Sequence, residues 1–389
     1  MRTSHEPTTR PEPSSRPTAS RAGKLRIGVI GCGDVAFRRY IPVLHLLADR
    51  VEVAACCDAR AENAARGVDT VRSWSPGATA FTDLARMLAE ARLDAAINLT
   101  PAPVHAPITQ ACLEAGVHVY SEKPIAESIS AADRLIATAA AGDLLLLCAP
   151  AVAVTRRFQW LADIVDSGRF GPLTLATAHH ADSGPATWRE YTGDPTVFYG
   201  PGVGPVFDHG IYRLHGMTML MGPVRRVQAM GTIGVPKRVV RAGPLAGQTI
   251  DVTAPDHVLI NLEFSNGALG QLLASFGTAN TQAPWLELHF ATATISFVGA
   301  SHDKDAPASI FVDDDSPLGL EGWVHGILPP PPPEDLPVVE TGVVHFVACL
   351  RGEAKPVLTA EHARHVLDII LRAYESIADG RSHMTETAF

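Results

Sequence analysis

Apolar and polar positions follow two rhythms along this chain. From Lys24 to Ala149, short apolar runs alternate with stretches of helical spacing. The runs at 24–30, 51–57, 94–99, 117–121 and 144–149 predict buried strands, with a shorter one near Ala80-Phe81. Helices are predicted between them at 35–48, 60–66, 83–91, 105–115 and 130–141. Ser130 is the expected cap of the last, with Asp133 at N3. Strand–helix alternation implies an α/β, doubly wound parallel sheet, a Rossmann-type unit over residues 24–149.

After Ala149 the rhythm changes. A helix is predicted from Thr155 to Ser167, ending near Gly168, and an extended run from Leu173 to Ala181. A Gly- and Pro-rich loop follows from Ser183 to Pro205, then helical spacing from Asp208 to Met221. Strand-like pieces at 224–233, 256–264, 268–276, 285–291, 294–298 and 309–312 predict a large, mostly antiparallel sheet. Asn266-Gly267 is a strong hairpin signal between two of them. The run Pro329–Pro333 reads as a stiff connector, and helices at 338–351 and 360–379 close the chain. Residues 150–389 thus read as an α+β domain with a large, mostly antiparallel sheet. Residues 1–23 are rich in Pro, Ser, Thr and Arg and cannot bury a core, so disorder is expected there.

Composition narrows the function. The chain has 389 residues, enough for two cores, a net charge of −9 and 46% hydrophobic residues. The acidic balance argues against a nucleic-acid binder, and no apolar run is long enough for a membrane helix. Cys32, Cys56, Cys57, Cys112, Cys148 and Cys349 form no CxxC pair and fit reduced thiols in a cytoplasm. No His/Cys/Asp spacing supports a metal site.

The most telling stretch is Gly31-Cys32-Gly33-Asp34-Val35-Ala36, between a predicted strand and a predicted helix. Gly31 permits a tight turn, Gly33 lets backbone approach phosphate, and Ala36 allows close packing of helix on strand. The helix N-terminus then offers free N–H groups to a pyrophosphate. Asp58 ends the second strand 22 residues after Ala36, close to the spacing of about 20 expected of the acid that binds the adenosine ribose. Asp58 favours NAD; Arg60, two residues on, leaves NADP open. Two later strands end in Asn98-Leu99-Thr100-Pro101, followed by His105, and in Tyr120-Ser121-Glu122-Lys123-Pro124. Open α/β sheets bind ligands at such strand ends. A lysine there can hydrogen-bond a substrate hydroxyl, although a surface lysine at a strand end reads the same way.

These segments resemble, in order and spacing, the glucose–fructose oxidoreductase / inositol dehydrogenase (Gfo/Idh/MocA) family. Glu122-Lys123-Pro124 is similar to its Glu-Lys-Pro signature. Gly202-Val203-Gly204-Pro205-Val206-Phe207-Asp208-His209-Gly210-Ile211-Tyr212 resembles its glycine loop followed by D-x-G-x-[HY], with Val203 and Pro205 as departures. The resemblance implies an NAD(P)-dependent oxidoreductase acting on a sugar, cyclitol or related polyol, working as a homodimer or homotetramer, with residues 150–389 as its substrate-binding and oligomerisation domain. It implies that Lys123 is the catalytic lysine and that Tyr212 takes the place of the proton-transferring His or Tyr. Asp208, on the same helical face, would orient them or bind a sugar hydroxyl. Asp34, Val35, Thr100, Pro101, His105 and Glu122 would join Gly31, Gly33, Ala36, Asp58 and Lys123 around the cofactor. Lys123 is expected to stabilise a Tyr212 phenolate. His209 is expected to point off the Asp208–Tyr212 face. His180 (with His179), Trp188, Arg189 and His215 are substrate candidates, with packing the competing reading for each. Asp313-Asp314-Asp315 reads as a solvated turn. A glycosidase that cycles its cofactor and a non-catalytic cofactor sensor are the alternative functions.

Overall fold

The computed structural model describes residues 23–389, except 190, 192, 300–305, 314–318, 320 and 330–336. Residues 1–22, Asp314-Asp315 and most of the proline run therefore lie outside the described residues. The first sheet is built from β1 (Leu25–Ile30), β2 (Val51–Cys57), β3 (Thr79–Phe81), β4 (Ala95–Asn98), β5 (His118–Ser121) and β6 (Leu146–Cys148). Its order is β3-β2-β1-β4-β5-β6, and every pairing is parallel. The order reverses direction between β1 and β4, which opens a crevice at their carboxyl ends. The connecting helices are α1 (Ile41–Leu46, preceded by a π-helical turn at Ala36–Tyr40), α2 (Ala61–Val71), α3 (Leu84–Glu90), α4 (His105–Glu114) and α5 (Ile129–Ala141). Ser128, not Ser130, caps α5: its hydroxyl accepts from Ala131 N at 3.3 Å. Asp133 is taken instead by Arg364, at 2.7 Å.

Helix α6 (Arg156–Ser167) leads into β7 (Leu173–Ala181), and α7 (Ile211–Met221) follows a π-helical turn at Val206–Gly210. The rest of the second region comprises β8 (Val224–Thr232), β9 (Lys237–Val239), β10 (Thr249–Asp251), β11 (His257–Phe264), β12 (Leu269–Ser275), β13 (Leu286–Phe290), β14 (Ala293–Phe297), β15 (Ala308–Val312), β16 (Gly322–Ile327), α8 (Val338–Leu350), α9 (Ala360–Asp379) and β17 (His383–Met384). Nine of these strands form one sheet, β16-β15-β14-β13-β7-β12-β11-β8-β17, antiparallel except for β12 against β7. The Asn266-Gly267 turn joins β11 to β12, with Gly267 at φ 87°. Sequence patterning missed β16, β17 and the β9–β10 hairpin, whose strands bury one side chain each.

One face of the large sheet packs Ile260, Leu272 and Leu288 against Leu161, Leu214 and Ile370 of α6, α7 and α9. The other face leaves Met230, Leu259 and Leu269 exposed. The last helices tie both regions together. Val343 and Phe346 of α8 join Ile27 and Val29 in one core, while α9 sends Leu367 to α5 and Ile370 to the large sheet. Among the described residues, no helix is long and apolar enough to cross a membrane.

Burial keeps several histidines neutral. It pushes His215 down to about 3 and His345 and His365 down to about 4, and holds His362 well below the usual value. The unfolded chain protonates these groups near 6.5, so their stabilisation is complete above that pH and is lost as pH falls toward the folded values. The melting temperature is expected to drop steadily from about pH 6.5 to 4. A flat profile across that window would contradict this.

Candidate active site

The turn after β1 is shaped by Gly31, at φ 88°. A Cβ there would lie 2.7 Å from the Leu99 carbonyl carbon and the Thr100 nitrogen, so the β1 and β4 ends meet too closely for any side chain. A Cβ on Gly33 would meet nothing within 4 Å; its backbone faces open space, as a phosphate cradle requires. Ala36 is fully buried under the helix start, while Asp34 pairs with Arg38 at 2.6 Å and Val35 packs against the first core. Asp58 is fixed from three sides: Cys32 N donates to it at 2.8 Å, Arg60 N at 2.9 Å and Asn63 Nδ2 at 3.2 Å. These features fit a dinucleotide: the Gly31-Gly33 turn could hold its pyrophosphate and Asp58 its adenosine ribose.

The ends of β4 and β5 are braced together. Asn98, fully buried, donates to His105 O and Thr109 Oγ1 at 3.0 Å and accepts from Thr100 Oγ1 at 2.6 Å. The His105 ring sits between Pro124 O, at 2.8 Å, and Thr100 O, at 2.6 Å. At 2% exposure, His105 braces these loops from inside. Thr100 and Pro101 stay at the crevice edge. Glu122 accepts from the buried Tyr40 hydroxyl at 2.5 Å and from Lys123 N at 3.0 Å.

Lys123 then reaches across to the second region. Its Nζ donates to Asp208 O at 2.9 Å and lies 3.1 Å from Asp208 Oδ1, 5.5 Å from the centre of the Tyr212 ring. The three residues therefore converge at one point of the crevice. Burial opposes the Lys123 charge, but Asp208 and then Tyr212 outweigh it and hold the ammonium above the usual lysine range. Burial likewise opposes the Asp208 carboxylate; His209 and Lys123 outweigh it and hold it below the usual range. The Tyr212 phenol is pushed up to about 12 by burial, against the pull of Lys123. The expected phenolate stabilisation is thus present but overridden: the phenol keeps its proton at neutral pH.

His209 corrects another expectation. It does not point off the site: its Nδ1 is 3.2 Å from Asp208 Oδ2, and its ring stacks on His180 at 3.9 Å. Residues 206–210 form a π-helical turn, wider than the 3.6-residue turn of an ordinary α-helix, so side chains here do not follow ordinary helical spacing. His180 also lies 3.4 Å from Asp182. Trp188 meets the His209 ring edge-on at 5.3 Å, so it belongs to the same wall. Arg189 is exposed, and His179 turns away to Pro284 O, at 2.7 Å. His215 lies elsewhere, buried against His362 at 4.7 Å: three residues after Tyr212 on α7, it faces α9 rather than the crevice. Among the described residues, no three His, Cys, Asp or Glu side chains converge as a metal site.

A family model described as "Oxidoreductase family, NAD-binding Rossmann fold" matches residues 25–148, and the "GFO/IDH/MocA C-terminal domain" matches 158–296. The chain belongs to the Gfo/Idh/MocA oxidoreductase family. It is 30% identical over 284 residues to dTDP-3,4-didehydro-2,6-dideoxy-alpha-D-glucose 3-reductase of Streptomyces antibioticus, covering 68% of this chain and 80% of that protein. It is 27% identical to the D-glucoside 3-dehydrogenase of Escherichia coli, covering 77% and 82%. An uncharacterized oxidoreductase of Schizosaccharomyces pombe aligns over 41% of its own length, at 29% identity. Among solved structures, the WlbA dehydrogenase of Chromobacterium violaceum, in complex with NADH and UDP-GlcNAcA, shares the fold at TM-score 0.74 and 19% identity. That match covers 97% of this chain and all of the other. As a Gfo/Idh/MocA member the chain is an oxidoreductase with an NAD-binding Rossmann domain.

Proposed function

We propose that this Gfo/Idh/MocA member transfers a hydride between a nicotinamide cofactor and a carbinol carbon of a sugar, cyclitol or nucleotide-linked sugar. The observation that carries the reading is Lys123 Nζ, held on Asp208 beside Tyr212 at the crevice that the Gly31-Gly33 turn opens. The cofactor supplies the hydride acceptor or donor when bound. Lys123 polarises the reacting oxygen, Asp208 fixes Lys123, and Tyr212 moves the hydroxyl proton. Because the phenol is protonated at neutral pH, Tyr212 is ready to donate to a developing alkoxide; in the oxidative direction a proton must first leave it. Trp188 offers its ring as a platform for the apolar face of a sugar. Support for a carbohydrate substrate comes from the activities of the reductase and dehydrogenase relatives. Net NADH formation, followed by absorbance across hexoses, inositols and glucosides, tests the reading. It also separates a dehydrogenase from a redox-cycling glycosidase and from a sensor.

Asp58 is expected to give tighter binding of NAD than of NADP, since its fixed carboxylate repels a 2′-phosphate. Calorimetric titration with both decides this; tighter NADP binding would shift the selection to Arg60. The exposed face of the large sheet, with Met230, Leu259 and Leu269, is expected to be covered in a homo-oligomer. Light scattering should show a dimer or tetramer at micromolar concentration, and a clean monomer would refute it.

A further inference from the structure

We propose that Arg238 is a positioning residue for the substrate wall: from the β9–β10 hairpin it fixes the turn that holds Trp188 against His209. This deepens the oxidoreductase reading above and rests on it for the role of Trp188.

Residues 233–256 leave the large sheet between β8 and β11, which pair directly with each other. The excursion is therefore not needed to complete that sheet. β9 and β10 form a small sheet of their own and bury one side chain each, Arg238 and Ile250. Ile250 packs with Tyr199, Phe276 and Ala186 in a small separate core. Arg238 is buried with Asp256 and uses both arms of its guanidinium: Nη2 donates to Asp256 at 2.8 Å and Nη1 to Ser183 O at 3.2 Å. Its Nε has no partner among the described residues. A well-packed apolar pair is often as stable as a buried ion pair, so stability alone does not account for an arginine here. The arm on Ser183 O is what an apolar side chain could not supply.

Ser183 begins a short, heavily bonded turn. Its Oγ lies 2.5 Å from Thr187 Oγ1, Thr187 N donates to Gly184 O at 2.9 Å, and Trp188 N donates to Pro185 O at 3.3 Å. The segment after β9 adds a second hold, from Arg241 N to Ala186 O at 2.8 Å. Gly184, at φ 77°, leaves no slack: a Cβ there would lie 2.5 Å from the Tyr199 hydroxyl and 2.8 Å from Phe276 Cβ. Phe276 also meets the His209 ring edge-on, at 6.1 Å. The turn thus carries the position of Arg238 to Trp188, which ends it with its ring 5.3 Å from that of His209. His209 lies against Asp208, so the wall and the reacting groups share one frame. Arg238 bonds to Asp256 and Ser183, not to the reacting groups, and acts through the aromatic ring.

The swap Asp256→Leu with Arg238→Met, made in the full-length protein, removes the hold on Ser183 while an apolar pair fills the core. 5-Fluorotryptophan NMR of that variant, with no ligand added, should shift or broaden the Trp188 resonance, assigned by Trp188→Phe. The resonances of Trp74, in the first core, and Trp323, on β16, should stay in place. With a sugar that the NADH assay identifies, KM should rise about threefold to tenfold, the worth of one aromatic contact, with kcat within about twofold of wild type. Trp188→Ala should raise KM by a similar factor. Adding it to the swap should raise KM no further, because Arg238 acts through that ring. An unmoved Trp188 resonance, or a wild-type KM in a swap variant that melts as wild type does, overturns the proposal. KM losses that multiply overturn it too. If the swap melts well below wild type, Arg238→Lys makes the same test: one ammonium keeps the Asp256 charge paired but lacks the planar fork that reaches Ser183 as well. A Trp188 shift in a protein that oxidises no sugar would leave the hold of Arg238 on the turn standing and count against the substrate reading alone.

Discussion

Tyr212→Phe and Lys123→Ala should each lower kcat by about 10²–10⁴-fold, the usual contribution of a positioned proton-transfer group. NAD affinity should be nearly intact, since the dinucleotide contacts expected of Gly31, Gly33 and Asp58 are untouched. The two side chains serve one step: Lys123 Nζ sits 5.5 Å from the Tyr212 ring centre and is pinned by Asp208. The double variant should therefore lose far less than the product of the single losses. Steady-state kinetics on all three variants measures this. Fully multiplicative losses would mean separate roles, and near-wild-type turnover in Tyr212→Phe would move the proton transfer to the neighbouring imidazoles.

The second large effect is on stability. Asp256 is 1% exposed, pairs with Arg238 at 2.8 Å and accepts from Gly234 N and Val235 N at 2.6 and 3.1 Å. Arg238 in turn donates to Ser183 O, beside Asp182 and the wall of the site. Asp256→Ala leaves that guanidinium buried and unpaired, and should cost about 3–5 kcal/mol in urea unfolding. Asp256→Leu with Arg238→Met should recover much of it, because the desolvated charge is then gone as well. A loss under about 1 kcal/mol for Asp256→Ala would place the pair in a solvated setting.

The parallel sheet was legible because its strands are nearly all apolar and end in glycine, threonine or Glu-Lys-Pro. The convergence of Lys123, Asp208 and Tyr212 followed from the resemblance of two distant segments, not from periodicity. Other parts were hidden for physical reasons. The π-helical turn at 206–210 carries no distinctive residue pattern, so helical spacing misplaced His209. His180 lies at the end of β7, where alternation says which face a side chain takes but not which loop residue meets it. His105 follows a Thr-Pro turn, and nothing in that spacing reveals that its ring is drawn inward to two loop carbonyls. The β9–β10 hairpin was missed because one of its two buried side chains is Arg238, which reads as surface until Asp256 is placed beside it.

The most direct test of the central claim follows the carbinol hydrogen itself. A polyol or glucoside identified by the NADH assay is deuterated at its reacting carbon and incubated with the full-length protein and NAD. Mass spectrometry should find the deuterium on the nicotinamide, with one NADH formed for each carbonyl product. Product formed without NADH accumulation, or with the deuterium returned to the sugar, would contradict the account.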